Sequence, residues 1–385
     1  MDPAFDPRYP SIDDLRARAR RRIPRFAFEY LDGGCNEDVN LDRNRADLQR
    51  IALEPRYLVE EVRPDPSVEL FGSSWAAPFG VAPIGLQGLI WPDAPLILAR
   101  AARKLNVPFV LSTVSTASIE EVAEATDGRF WFQLYHPSRE EVRDDLLARA
   151  AAAGCEVLVI LADVPSFGFR PRDIRNGLSM PPRMSLRNLA QMVGRPAWSW
   201  GMLRRGSPTF KSLEPYMPGG MNLRQLGKFM NETFSGRLDP DRVAALRDRW
   251  RGKLVIKGVV AEADAALAVD LGVDGIIASN HGGRQLDAGE SSIVPMTRLA
   301  REFGERLVVM LDSGVRTGPD VARALACGAR FTFLGRTCMY GVAALGERGG
   351  EHTLELLRAQ LTQVMDQVGC ARVEDLPGHL VGGAP

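Results

Sequence analysis

The sequence predicts an α/β chain built on a (β/α)8 TIM barrel of parallel strands, with an N-terminal helical extension and a long insertion after strand 4. Three observations carry this. From Pro78 onward, short apolar and β-branched runs alternate with helical segments, at Phe79–Ala82, Phe109–Leu111, Phe130–Leu134, Val157–Ala162, Leu254–Lys257, Gly275–Ser279, Leu307–Leu311 and Phe331–Leu334. Each run hands over to small or polar residues at its C-terminal end. The chain is also long enough, at 385 residues with 45% hydrophobic content, to bury a barrel-sized core. An open doubly wound sheet stays the alternative on pattern alone.

One domain over residues 1–385 is expected: an extension over 1–77, the barrel over 78–345 with an insertion at 176–237, and a C-terminal helix and tail over 346–385. Ser11 to Arg22 reads as a surface helix, opened by Ser11 with an acid three positions on, basic toward its end and stopped by Pro24. Phe26, Phe28, Tyr30 and Leu31 then run into Asp32-Gly33-Gly34, so a phenol precedes a turn. Leu48 to Val68 is Pro-rich and irregular, a wrap leading into the barrel. Within the barrel, Ser118 with Glu121 forms a capping box, and Pro319 early with Gly328 late bounds the helix around Val321 to Ala326.

Composition narrows the function. Lys+Arg and Asp+Glu stand at 48 each, so no overall field points to nucleic acid. The five cysteines show neither C-x-x-C nor metal-type spacing and read as reduced core residues of a cytosolic protein, with no metal implied. No apolar leader and no stretch of 18 apolar residues is present, so neither export nor a membrane span is inferred. Without G-x-G-x-x-G or a P-loop, nicotinamide Rossmann and nucleotide-hydrolase readings fall away.

The strand ends carry the chemistry. In order they deliver Pro83, Ile84 and Gly85; Ser112 and Thr113; Gln133 and Tyr135; Asp163 and, farther on, Arg170; Lys257; Ser279, His281 and Arg284; Asp312, Ser313, Gly314 and Arg316; Gly335 and Arg336. In a (β/α)8 barrel those ends meet at one mouth, and its last two turns often hold a phosphate. The most pointed stretch is S-N-H-G-G-R-Q-L-D, Ser279 to Asp287, which sets a proton acceptor and a fixed cation three residues apart in a glycine-loosened turn. His136, His352 and His379 lack such company and read as structural.

S-N-H-G-G-R-Q-L-D, V-I-K-G-V, L-D-S-G-V-R-T-G, F-L-G-R, F-Q-L-Y and A-P-I-G-L-Q, in this order, resemble the FMN-dependent L-2-hydroxy acid dehydrogenase/oxidase family over about Ser11 to Leu380. The resemblance is greatest to its bacterial mandelate and lactate dehydrogenase branch. It implies FMN as cofactor, held by Pro83, Ile84, Gly85, Ser112, Gln133, Lys257, Ser279, Asp312, Ser313, Gly314, Arg316, Gly335 and Arg336. It implies that Tyr30, Arg170 and Arg284 bind the substrate carboxylate, that His281 is the base held by Asp163, and that Tyr135 contacts the hydroxyl. Lys257 falls beside the flavin N1 and O2. Leu161 departs from the Thr usual two residues before the Asp, which puts one flavin hydrogen bond in doubt.

Val114, where relatives for small acids often carry an aromatic, leaves room for an aryl or longer 2-hydroxy acid, although some lactate enzymes also have a small residue there. Gly85, where oxidases of the family often carry Ala, resembles the dehydrogenases. The insertion holds Arg187, Arg195, Arg204, Arg205, Lys211 and Arg224 against Glu214 between Arg183 and Lys228, interleaved with Trp198, Trp200, Met202, Leu203 and Phe210. That is the composition of an interfacial membrane patch, or of a lid or subunit contact. The resemblance implies peripheral attachment on the inner face of the membrane, a quinone or similar acceptor, and a tetramer. An oxygen-using oxidase, a flavin-dependent isomerase, a peptide-modifying oxidase and a flavin-less binding protein stand as alternatives; His281, Arg284, Arg170 and Tyr30, a set that answers to a carboxylate, argue against the isomerase.

Overall fold

Eight parallel strands close into a barrel in the computed structural model, which describes residues 5–178, 184–206, 208–217, 229, 233–234 and 237–382. They are β1 Phe79–Val81, β2 Val110–Ser112, β3 Trp131–Leu134, β4 Val157–Leu161, β5 Lys253–Lys257, β6 Gly275–Ala278, β7 Val308–Asp312 and β8 Phe331–Leu334. Each pairs in parallel with its successor from β2 to β8, and β8 pairs with β1. A bridge between Val81 and Phe109 joins β1 to the start of β2 and closes the ring. Closure leaves no edge strand to cover. The strands are buried almost throughout, as expected when side chains fill the barrel on one face and helices cover the other.

The expected punctuation is present. Ser11 caps α1 (Ile12–Arg22) by accepting from Asp14 N–H, and Ile12, Leu15 and Ala19 form its buried stripe. Ser118 and Glu121 form the reciprocal capping box, and the helix Gly318–Ala326 carries a second one, Thr317 with Asp320. Two further helices are present: α2 (Arg25–Asp32), over the aromatic run, and α3 (Val39–Arg50), whose last three residues fall in the stretch from Leu48 read as irregular. The wrap that follows is pinned to the C-terminal region by bridges Leu53–Leu380 and Asp65–Arg372.

The insertion is more regular than its sequence suggested. Its described parts include helices Leu186–Val193 and Pro196–Arg205 and a 3₁₀ turn at Lys211–Tyr216, and a short helix, Pro171–Arg175, leads into it. Arg183, Arg224 and Lys228 lie outside the described residues. Trp198 and Phe210 turn inward at 3% exposure each, with Trp198 Nε1 donating to the Leu89 and Ile90 carbonyls. Trp200 and Leu203 face out.

All five cysteines are buried and unpaired. Burial pushes the thiols of Cys155 and Cys338 up to about 12 and those of Cys327 and Cys370 up to about 11. We expect no thiol titre with an aromatic disulfide reagent in the native protein and five per chain after denaturation. A rapid native titre would contradict this packing.

Candidate active site

The C-terminal ends of the strands open into a cavity of about 580 Å³, within the size range of cofactor pockets. Tyr30, Pro83, Ile84, Gly85, Val114, Tyr135, Arg170, Lys257, His281, Arg284, Asp312, Ser313, Gly314, Arg316, Gly335 and Arg336 line it. Of the other four expected residues, Ser112, Gln133 and Ser279 sit buried beside these and Asp163 is half-buried, with its side chain 8% exposed.

His281, three residues past the end of β6, has a left-handed backbone conformation, φ 57°, unusual for a residue with a side chain. Its N–H donates to Ser279 Oγ at 3.0 Å, which helps to hold that conformation. Its Nδ1 meets Asp163 Oδ1 at 2.9 Å, and the tautomer consistent with this bond puts the proton on Nδ1. Nε2 is then a lone-pair acceptor, without a hydrogen-bond partner among the described residues. Burial lowers the His281 pKa below its ordinary range, with Asp163 pulling the other way. The neutral, proton-accepting imidazole therefore persists to lower pH than in an exposed histidine.

Below it runs a buried charge network. Lys257 Nζ lies 2.8 Å from Ser279 Oγ, 3.4 Å from Asp163 Oδ2 and 3.1 Å from Asp312 Oδ2, while Ser279 donates to Asp163 at 3.2 Å. Burial opposes the Lys257 charge, but Asp163 and Asp312 outweigh it and hold the ammonium protonated. Burial likewise opposes the Asp163 carboxylate, and Lys257 and His281 keep it ionised. A cation fixed in this way on the cavity wall stabilises negative charge that develops beside it.

Gly258 is what lets β5 end there. Its φ is 101°, and a Cβ would fall 2.5 Å from Asp163 Cβ and 2.7 Å from Asp163 N. We expect Gly258→Ala to cost about 2–3 kcal/mol in urea unfolding and to displace Asp163 from His281. Unchanged stability and turnover would refute that.

Four guanidinium groups, of Arg170, Arg284, Arg316 and Arg336, line the cavity, and Arg170 and Arg284 share one nearby acid, Asp173. Arg336 donates to the carbonyls of Leu31, Gly282 and Gly33 at 2.9, 2.9 and 2.7 Å, so its partners there are neutral. Arg284 Nη1 donates to the Tyr30 and Gly33 carbonyls at 2.6 and 2.8 Å, and its guanidinium lies over the Tyr30 ring at 4.9 Å. Burial, then repulsion from Arg170, brings Arg284 down to about 10; burial, then Arg284 and Arg316, brings Arg336 down to about 9. Burial also lowers Arg316. Cations this destabilised are sites made for anions.

These contacts explain the N-terminal extension. Asp32, at the end of α2, accepts both arms of Arg16 at 2.7 and 2.8 Å and the Tyr340 hydroxyl at 2.7 Å. Gly33 follows directly, and its carbonyl faces both Arg284 and Arg336. The C-terminal end of α2, which carries Tyr30, is thereby fastened to the cavity wall.

Sequence reasoning missed two functional partners. Asp173 lies between the carboxylate-binding candidates, 3.9 Å from Arg170 and 3.6 Å from Arg284, with burial raising its pKa. Gln285 accepts from Arg170 at 3.1 Å and from Gly168 N–H at 3.1 Å, and donates to the carbonyls of Asp163 and Ser166. Gln285 stands inside the Ser279 to Asp287 motif, so position was the available signal. Asp173 offered only its spacing of three from Arg170.

The site suits a flavin mononucleotide. Gln133 Oε1 accepts from Ser112 Oγ at 2.9 Å, but its buried Nε2 has no partner, a donor left for an acceptor such as a flavin ring carbonyl. Arg316 and Arg336 lie where β7 and β8 end and supply cations for a phosphate. Leu161, 8% exposed, offers no hydrogen bond where a Thr could.

Comparison with known proteins agrees. The family model for FMN-dependent dehydrogenases matches residues 19–382. An L-lactate dehydrogenase of Caulobacter vibrioides (strain NA1000 / CB15N) is 41% identical over 367 residues, 95% of this chain and 96% of the relative. The (S)-mandelate dehydrogenase of Pseudomonas putida is 35% identical over 372 residues, 96% of this chain and 93% of the relative. A crystal structure of an (S)-mandelate dehydrogenase, described as a monotopic membrane protein, superposes with a TM-score of 0.91 at 35% identity, covering 97% of this chain and 99% of that one. With its barrel, its cavity and its sequence in agreement, the chain belongs to the FMN-dependent dehydrogenase family.

Proposed function

We propose that the protein oxidises an L-2-hydroxy acid to the 2-oxo acid with FMN, prefers an aryl side chain, and passes the electrons to a quinone at a membrane surface. One observation carries the reading: His281 Nε2 shares a cavity with Arg170, Arg284 and Tyr30, a proton acceptor opposite an anion grip. The substrate carboxylate is held by the two guanidiniums and the Tyr30 phenol, which orients the α-carbon. Tyr135 contacts the hydroxyl. His281 Nε2 takes the hydroxyl proton, and Asp163 stabilises the imidazolium that results. Bound FMN would supply the acceptor for the α-hydrogen and for the two electrons that leave the α-carbon with it. Pro83, Ile84, Gly85, Ser112, Gln133, Lys257 and Ser279 would hold its ring, and Asp312, Ser313, Gly314, Arg316, Gly335 and Arg336 its ribityl phosphate.

For the side chain, Val114 packs against Gly85 so closely that a Cβ there would lie 2.7 Å from Val114 Cγ2. Leu86, Ile90, Leu178 and Phe210 add apolar wall to the same cavity, which supports an aryl acid. The 41% identity to an L-lactate dehydrogenase supports a second reading, lactate. Purified holoenzyme that bleaches anaerobically faster with (S)-mandelate than with L-lactate supports the first; the reverse order supports the second. No bleaching with any 2-hydroxy acid overturns both, and rapid oxygen uptake makes the protein an oxidase.

The membrane reading rests on a helix turned inside out. In Leu186–Val193 the buried residue is Asn188, which donates to the Asn176 carbonyl at 2.9 Å, while Leu186, Leu189 and Val193 are 86%, 55% and 76% exposed. Trp200 and Leu203 on the next helix are also exposed. Exposed apolar side chains beside Arg187 and Arg204 suit the plane of a bilayer. None of the helices among the described residues is long and apolar enough to cross one. A variant with Leu186→Ser, Leu189→Ser and Val193→Ser is expected to lose flotation with anionic vesicles. Undiminished binding would end the reading. We also expect a tetramer, which light scattering measures directly.

A further inference from the structure

Phe167 and Phe169 are 50% and 66% exposed, yet the loop that presents them is firmly held. Gly168 N–H donates to Gln285 Oε1 at 3.1 Å, the Phe169 carbonyl accepts from Asn36 N–H at 2.8 Å, and a Cβ on Gly168 would lie 2.2 Å from the Arg284 carbonyl oxygen. Two phenyl rings are thus kept in water by a backbone that cannot easily withdraw them. Such a surface marks something that comes to cover it.

Its position says what. Both rings line the mouth of the cavity, together with Ile174, which is 44% exposed. Asn176, just past Ile174, is the residue whose carbonyl takes the Asn188 hydrogen bond from the outward-apolar helix. The aromatic mouth and the proposed membrane face are therefore fastened together, and the mouth opens on the cavity that suits the flavin.

We propose that Phe167, Phe169 and Ile174 form a docking rim for a membrane quinone, whose ring enters the cavity mouth while its isoprenoid tail stays with lipid beside the Leu186–Val193 helix. The proposal rests on the reading above that a quinone is the acceptor. The quinone takes two electrons and two protons and leaves as quinol, while the reduced flavin returns to its oxidised form. A flat, uncharged ring with an apolar tail gains from this rim. A small charged acceptor does not, so the two classes are separable.

The test divides the two half-reactions of the holoenzyme, with a Phe167→Ser/Phe169→Ser variant beside the native chain. Flavin bleaching by the 2-hydroxy acid is expected to be unchanged, as is reoxidation by ferricyanide. Reoxidation by ubiquinone-1, and its calorimetric binding to the oxidised enzyme, are expected to weaken at least ~10-fold, from lost apolar contact. A Phe167→Leu/Phe169→Leu variant is expected to recover most of the loss. Equal quinone binding and reoxidation in the Ser variant overturns the rim. A Ser variant that changes oligomeric state while quinone reoxidation is unchanged assigns the patch to a second copy of the chain, and also overturns it. Failure of the native protein to be reoxidised by any quinone, with ferricyanide working, rejects the acceptor reading itself.

Discussion

His281→Gln is expected to lower kcat roughly 10²- to 10⁴-fold, the range that a positioned general base contributes, with KM nearly unchanged and FMN content intact. The reasoning is geometric. His281 does not hold the carboxylate; Arg170, Arg284 and Tyr30 are assigned to that. Its Nε2 has no hydrogen-bond partner among the described residues, and His281 lines the cavity that they share. The pH profile gives a second check. Catalysis requires the neutral imidazole, so kcat/KM falls as pH drops through the His281 pKa, and burial places that limb below the ordinary value of about 6.5. Asp163 raises the His281 pKa, so Asp163→Asn should move the limb lower still while costing turnover through loss of the fixed tautomer. A limb that rises in Asp163→Asn, or a His281→Gln enzyme within tenfold of native, would refute the assignment.

Arg284→Lys is expected to reduce kcat/KM roughly 30- to 3000-fold, mainly through KM, because removing one partner of a buried charge pair costs about 2–5 kcal/mol. An ammonium cannot reproduce what the planar fork does here. Nη1 of Arg284 is already committed to the Tyr30 and Gly33 carbonyls, while Nη2 stands 3.6 Å from Asp173 Oδ2, beyond hydrogen-bond distance, and can still donate to a substrate carboxylate. A substrate carboxylate would add to Asp173 in offsetting the repulsion between Arg284 and Arg170. Binding of the 2-oxo acid product, read from the flavin spectrum, should weaken in parallel, whereas the amide of the same hydroxy acid should be a poor ligand for native and variant alike. Parallel loss of amide and acid binding would show a collapsed site instead.

Much of this was legible along the chain because barrel strands are local. A run such as Val157–Leu161 is buried on both faces and short, and the polar residue that follows it sits at the barrel mouth. Each strand can therefore be read alone, and eight agreeing strands locate a site. The same holds for the caps at Ser11 and Ser118, whose bonds span three residues.

The sequence by itself determined the barrel, the end of it that carries the chemistry, and the residue types gathered there. Tertiary structure decided how those groups are held: Asp173 between two arginines, Gln285 bridging two loops, and Asp32 anchoring the helix end that carries Tyr30 through Arg16 and Tyr340. It also decided that Leu186–Val193 shows its apolar stripe to the outside. The physical reason is the same in each case. Periodicity along a chain defines which residues share a face, but the partner across that face, another segment or a bilayer, is chosen by contacts between residues far apart in sequence.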